Sequence, residues 1–161
     1  MQNTTIFTKE GYDACYAEYR ELVDVKRREA SEKIKVAREY GDLSENAEYD
    51  AAKEEQAMIE ARIKELEAKL SNYEIIDESK IRNDIVSIGS FVKVLDKEFD
   101  EEEVYQIVGS TEADINLNRI SNNSPMATAL LGKKKGDTVR VATPQATFEV
   151  TILEISKDKI N

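Results

Sequence analysis

The chain of 161 residues contains no histidine and a single cysteine. The absence of histidine excludes Ser-His triads, histidine general bases and histidine-ligated zinc or iron. The lone Cys15 excludes an internal disulfide and a cysteine-rich zinc site. Any catalysis therefore depends on carboxylates, lysine, arginine, tyrosine, serine or a group that a partner supplies.

Long apolar runs and an excess of basic charge are also missing. No apolar run approaches the roughly 20 residues that a membrane helix needs, and residues 1–5 lack the pattern of a signal peptide. We therefore expect a cytoplasmic protein without a membrane partner. The net charge of −10 argues against a general nucleic-acid coat, because phosphate neutralisation needs a basic face. Contact with nucleic acid is expected to be local and indirect, held in place by another partner.

Glycine and proline are scarce in the first half of the chain, whereas both prolines and four of the six glycines follow residue 88. We predict two domains, residues 1–78 and 79–161. In the first, apolar residues recur every three or four positions in two arms, which predicts an antiparallel coiled-coil hairpin. The arms contain Tyr12, Cys15, Tyr19, Leu22, Ala30, Ile34 and Ala37, and then Ile59, Ile63, Leu66, Leu70 and Tyr73.

The second half changes to a period typical of strands. Runs rich in β-branched residues predict strands over 91–95, 104–108, 114–120, 138–141 and 147–155. Ser124 and Pro125 predict the start of a short helix that ends before Gly132. The acidic run 101–103 is expected to form a hairpin loop and the basic run 133–135 a solvated turn. The fold class is therefore a helical hairpin followed by a small α+β domain with a mostly antiparallel sheet.

The run 41–49 is the predicted bend of the hairpin, because Gly41 is the only glycine between residues 12 and 88. Asp42 and Glu45 have the spacing of a capping box, and Ser44 is an alternative cap for the second helix. The same acids are also candidate ligands for magnesium, which takes one or two protein carboxylates and fills its other positions with water and phosphate oxygens. Spacing alone favours capping.

Two longer motifs resemble the signatures of the bacterial Gre transcript-cleavage factors. The first extends from Ala37 to Glu54, and the second joins Ile120–Pro125 to Leu130–Gly132. The resemblance covers essentially the whole chain. The chain resembles the A type of factor more than the B type, which has a larger basic patch. The only other basic residues near the bend, Lys33 and Lys35, do not form a broad patch.

The resemblance implies an FKBP-like second domain and a hairpin that enters the secondary channel of bacterial RNA polymerase. Asp42 and Glu45 are then catalytic and metal-binding residues that hold Mg²⁺ jointly with the polymerase, while the isolated protein binds no metal tightly. The polymerase cleaves the nascent RNA 3′ end that backtracking has extruded. The protein is thus expected to be a co-catalytic factor and not an enzyme by itself.

The resemblance also implies roles for residues around the bend and in the second domain. Arg38 and Lys53 are candidate RNA contacts, although a solvated helix face explains both, and lysine at 53 lacks the bidentate fork of arginine. The residues implied to support the tip are Gly41, Ser44, Asn46, Glu48 and Tyr49. The segment implied to lie near the contact with the rim coiled coil of the polymerase channel is Asn123, Ser124 and Pro125.

Two other functions stay open from the sequence. One is a Gre-like channel binder that regulates or inhibits the polymerase without inducing cleavage. The other is a coiled-coil adaptor whose acids only cap a helix. A free-standing nuclease is the least favoured, since no base or nucleophile is clustered with the two acids.

Overall fold

The computed structural model describes residues 4–42 and 46–161. It divides into two compact units, the first containing residues 12–73 and the second containing Thr5–Gly11 together with Glu74–Asn161. The boundary predicted between residues 78 and 79 stays a prediction, although packing groups residues 5–11 and 74–78 with the second unit. Within the described ranges, no helix is both long and apolar enough to span a membrane.

The helices of the first unit are α1 (Lys9–Glu21), a π-helical segment (Leu22–Lys26), α2 (Arg27–Arg38) and α3 (Ala47–Ser71). The first three run on without a break, and α2 packs against α3. Ion pairs show that the arms are antiparallel. Residues later in the first arm pair with residues earlier in α3. The pairs are Glu18–Arg62 at 2.7 Å, Arg27–Glu60 at 2.8 Å and Lys33–Glu55 at 3.1 Å.

Small and branched apolar side chains form the seam between the arms. The buried residues are Cys15, Ala30, Ile34 and Ala37 on the first arm and Ala52, Ile63 and Leu66 on α3. Tyr73 was expected at the end of this helical seam, but α3 ends at Ser71 and Tyr73 begins strand β2 (Tyr73–Ile75). Its ring nevertheless stacks on that of Tyr12, with centroids 4.8 Å apart.

The π-helical segment explains an irregular step in the apolar pattern of the first arm. Leu22 and Ala30 are eight positions apart, whereas two turns of α-helix take about 7.2 residues. A wider π turn absorbs one extra residue. Ala30, Ile34 and Ala37 therefore fall on the same face as Cys15.

The second unit contains a five-stranded sheet with strand order β5-β4-β3-β7-β6, in which only the β4–β5 pair is parallel. Its strands are β3 (Phe91–Asp96), β4 (Glu101–Val108), β5 (Arg119–Ser121), β6 (Thr138–Ala142) and β7 (Thr147–Ser156). Helix α4 (Pro125–Leu130) packs against β6 and buries Ala127 and Leu130 in the core. The predicted fold class is confirmed.

Two details of the predicted sheet are wrong. The acidic run Glu101–Glu103 belongs to strand β4, where it pairs with Val94–Asp96 and keeps its side chains exposed. The segment 114–120 is not one strand, because Ile115–Leu117 form a 3₁₀ turn that Asp114 caps. Asn118 then adopts a φ of 53° before β5 begins.

Strand β1 (Thr5–Phe7) pairs with β2, and the chain before α1 is held in the second unit. The Glu112 carboxylate accepts hydrogen bonds from the backbone and the hydroxyl of Thr8, at 2.7 and 2.5 Å. Thr8 in turn accepts from the backbone N–H of Gly11 at 3.0 Å and thereby caps the start of α1. A Cβ at Gly109 would lie 1.9 Å from the carbonyl oxygen of Ile6, so this close approach requires glycine.

Candidate functional site at the helical bend

The first arm ends in a tight turn at Gly41. The backbone N–H groups of Tyr40 and Gly41 donate to the carbonyls of Ala37 and Arg38 at 3.3 and 3.2 Å. Gly41 has a φ of 102°, a conformation that residues with a Cβ adopt only under strain. Glycine at this position is therefore the residue that the predicted bend needs.

The second arm takes its N-cap from Asn46. The Oδ1 atom of Asn46 accepts from the backbone N–H of Tyr49 at 3.1 Å, and α3 begins at Ala47. Asp42, the predicted cap, therefore does not occupy the N-cap position of this helix, and Ser44, the alternative cap, lies outside the described residues. The capping box was a misleading signal, since asparagine one position before the helix is an equally good cap.

Asn46 also bonds the opposite arm. Its Nδ2 donates to the carbonyl oxygen of Ala37 near the end of α2 at 2.7 Å. Sequence reasoning could not find Ala37 as a site residue, because its contribution is a backbone carbonyl and its side chain carries no polar signal.

Two predicted site residues from opposite arms meet beside this bond. The guanidinium carbon of Arg38 lies 6.0 Å from the centroid of the Tyr49 ring, within the range of a cation–π contact. Lys53 lies farther along α3, where its Nζ is 3.5 Å from Oε1 of Gln56. Arg38 and Lys53 are both exposed.

The described acids around the bend face solvent. Asp42, Glu48 and Asp50 are exposed, and the last two lie in the first turn of α3, where carboxylates favour the helix dipole. Ser44 and Glu45 lie outside the described residues. In the part of the chain that the structure describes, no three His, Cys, Asp or Glu side chains form a metal-binding group.

Behind the bend, charge pairs define the electrostatics of the hairpin. Arg62 donates to Glu18 across the hairpin at 2.8 and 2.7 Å and to Glu65 at 2.8 Å. The hydrogen bonds that Arg62 donates hold the pKa of Glu18 below its ordinary value, and the same bonds to Glu18 and Glu65 raise the pKa of Arg62.

Two family models match the chain. One, described as transcription elongation factor, N-terminal, matches residues 5–75, and the other, described as transcription elongation factor, GreA/GreB, C-terminal, matches residues 81–157. The chain belongs to the GreA/GreB family of transcription elongation factors.

Relatives in the GreA/GreB family are similar over nearly the whole chain. Transcription elongation factor GreA of Acetivibrio thermocellus is 55% identical over 152 residues, which cover 94% of this chain and 96% of that protein. GreA of Thermoanaerobacter pseudethanolicus is 54% identical, with 98% of this chain and 100% of the relative covered. The crystal structure of GreA factor homolog 1 (Gfh1) of Thermus thermophilus is 31% identical, covers 96% of this chain and 99% of its own, and has a TM-score of 0.45. The predicted family is confirmed.

The segment Asn123–Pro125 lies in the second unit. It was predicted to lie near the contact with the rim coiled coil of the polymerase channel. Ser124 caps α4 by accepting from the backbone N–H of Ala127 at 3.2 Å, and Pro125 occupies the first helical position, as predicted. Asn123 and Pro125 are exposed. Their part in docking stays a prediction.

Proposed function

We propose that this GreA/GreB-family protein binds bacterial RNA polymerase in the cytoplasm through the polymerase's secondary channel. It stimulates the polymerase's own cleavage of backtracked RNA 3′ ends, so that arrested complexes resume elongation. The observation that carries the proposal is an exposed Asp42 carboxylate at a helical bend whose second helix takes its cap from Asn46. Asp42 therefore does not occupy the N-cap position of α3.

Asp42 and Glu45 would hold a magnesium ion jointly with the polymerase and the RNA. The donor type fits, because magnesium takes oxygen ligands and typically one or two protein carboxylates. When bound, such an ion polarises a phosphoryl oxygen and makes bound water a better nucleophile. In this role the chain is a co-catalyst, and the nuclease centre belongs to the polymerase.

The flanking residues of the bend would orient the RNA and anchor the factor. Arg38 and Lys53 place positive charge behind the acids, where the phosphates of the extruded RNA end would pass. Gly41, Ser44, Asn46, Glu48 and Tyr49 support the bend. Asn123, Ser124 and Pro125 would contact the rim coiled coil of the channel.

The test is fragment release from stalled, backtracked elongation complexes in the presence of magnesium. The wild-type protein should release short 3′ RNA fragments, and Asp42→Asn or Glu45→Gln should lower the rate by about 100-fold, because each removes a charge at the reacting centre. Glu54→Gln, which neutralises an exposed acid farther along α3, should leave the rate unchanged.

Binding of each variant to the polymerase is measured by competition with labelled wild-type protein. Full cleavage by the variant Asp42→Asn/Glu45→Gln would contradict the proposal. A wild-type protein that slows elongation without releasing fragments would favour the regulatory channel binder.

A further inference from the structure

Asn46 joins the two helix ends that flank the bend. Its amide accepts from the backbone N–H of Tyr49 at 3.1 Å and donates to the carbonyl of Ala37 at 2.7 Å. Ala37 is 3% exposed, and its carbonyl accepts this bond in addition to the longer one, at 3.3 Å, from the backbone N–H of Tyr40. The side chain of Asn46 therefore connects the two helix ends between which Asp42 lies.

A second contact joins the same helix ends. Arg38, the last residue of α2, places its guanidinium 6.0 Å from the centre of the Tyr49 ring in the first turn of α3. Tyr49 thus receives the capping bond of Asn46 on its backbone and the arginine on its ring. Two independent contacts at one place indicate that the spacing of the helix ends is held closely.

We propose that Asn46 is a positioning residue, which sets the spacing between the end of α2 and the start of α3 and thereby places Asp42 for the cleavage reaction. This inference rests on the proposed function. Displacement of a reacting group by about 1 Å can cost on the order of 100-fold in rate, so a change in this spacing is expected to act on the chemical step.

Asparagine is suited to this role because its amide offers an acceptor and a donor at once. Aspartate at position 46 keeps an acceptor for the N–H of Tyr49 but offers no proton to the carbonyl of Ala37 at neutral pH. Serine is a good N-cap too, but its single hydroxyl cannot make both bonds. Asn46→Asp and Asn46→Ser therefore separate the cap of α3 from the bond between the arms.

The experiment measures single-turnover cleavage in backtracked complexes over a range of factor concentrations. Asn46→Asp and Asn46→Ser should lower the maximal rate about 10- to 100-fold, while the half-saturating factor concentration stays within about twofold of wild type. Asn72→Asp makes the same chemical change at the other end of α3 and should leave both values unchanged. Hydrogen exchange at the backbone amide of Tyr49 shows whether the N-cap of α3 survives in each variant. If Asn46→Asp loses the cap, Asn46→Ser is the variant that tests the bond to Ala37.

Three results would overturn the inference. A wild-type maximal rate in both variants shows that the bond to Ala37 is dispensable, and the proposed function still stands. A change confined to the half-saturating concentration shows that Asn46 acts on binding and not on positioning. If the wild-type protein itself releases no fragments, the proposed function fails and this inference fails with it.

Discussion

Arg62 shows how single side chains join the two arms of the hairpin. It bonds Glu18 on α1 through two nitrogens, and these bonds lower the pKa of Glu18. A carboxyl whose pKa is lower in the folded chain than in the unfolded chain stabilises the fold above its unfolded pKa. That contribution is lost as the pH falls through the folded value.

The hairpin should therefore lose stability on acidification partly through Glu18. We expect Glu18→Gln to lower the free energy of unfolding at pH 7 by about 0.2–1 kcal/mol, because both partners are more than a third exposed. The difference between variant and wild type should shrink as the pH falls below the ordinary pKa of glutamate and through the lowered pKa of Glu18. Urea unfolding at a series of pH values measures it.

Glu21→Gln, which neutralises another exposed acid of α1, is the matched control for this pH series. It should show a smaller loss at neutral pH. A difference between Glu18→Gln and wild type that stays constant from pH 7 to pH 3 would show that the ion pair is not its cause.

At the scale of residues, caps formed by adjacent residues were predictable from the sequence. Hydrogen bonds to a backbone group farther along the chain were not. Ser124 and Pro125 form a cap motif within adjacent positions, and the helix starts where they predict. Asn46 was predicted only as support for the tip. The spacing of Asp42 and Glu45 instead indicated a capping box that begins at Asp42. Its second partner, the carbonyl of Ala37, could not be predicted, because every residue has a backbone carbonyl.

At the scale of elements, the π-helical segment Leu22–Lys26 determines the phase of the first arm. It adds about one residue to a helical turn, so that the apolar positions before and after it share one face. The break in the pattern was visible in the sequence. Its cause was not, because a polar stretch and an inserted residue leave the same irregular spacing.

Deletion of Asp24 should convert the π-helical segment into ordinary α-helix and leave the seam intact. The π turn contains the extra residue, so its removal keeps Ala30 and Ile34 on the face of Cys15. We expect a change in the free energy of unfolding of no more than about 1 kcal/mol, since the exposed pair of Asp24 with Arg20 contributes little. Thermal unfolding followed by circular dichroism measures it.

Deletion of Glu32, within the regular turns of α2, is the matched comparison. It should rotate Ile34 and Ala37 by about 100° away from α3. Loss of a buried isoleucine contact alone costs about 2–5 kcal/mol. Equal stability of the two deletion variants would contradict this account of the π-helical segment.

Strand β4 shows why one sheet element was only partly predictable. Residues 104–108 are apolar enough to indicate a strand, whereas Glu101–Glu103 have side chains that disfavour one. They extend the strand because their backbone pairs with β3 while their side chains stay exposed. Such pairing depends on the register of a neighbouring strand, which composition does not reveal.

At the scale of the whole molecule, the chain combines a helical hairpin with a sheet unit, and both were predictable from periodicity and from the distribution of glycine and proline. The division between them was harder to predict. Thr5–Gly11 pack with the second unit through Glu112 and Gly109, which are about a hundred positions away in the chain. The family was predictable because its motifs are contiguous.

The central claim is that the hairpin bend supplies carboxylates to a magnesium ion in the polymerase. The measurement that tests it most directly is the magnesium dependence of transcript cleavage, with saturating wild-type protein and with Asp42→Asn. The account predicts that the half-maximal magnesium concentration rises about tenfold or more in the variant, since loss of groups that organise a metal site costs this much in affinity. An unchanged half-maximal magnesium concentration in Asp42→Asn would contradict it.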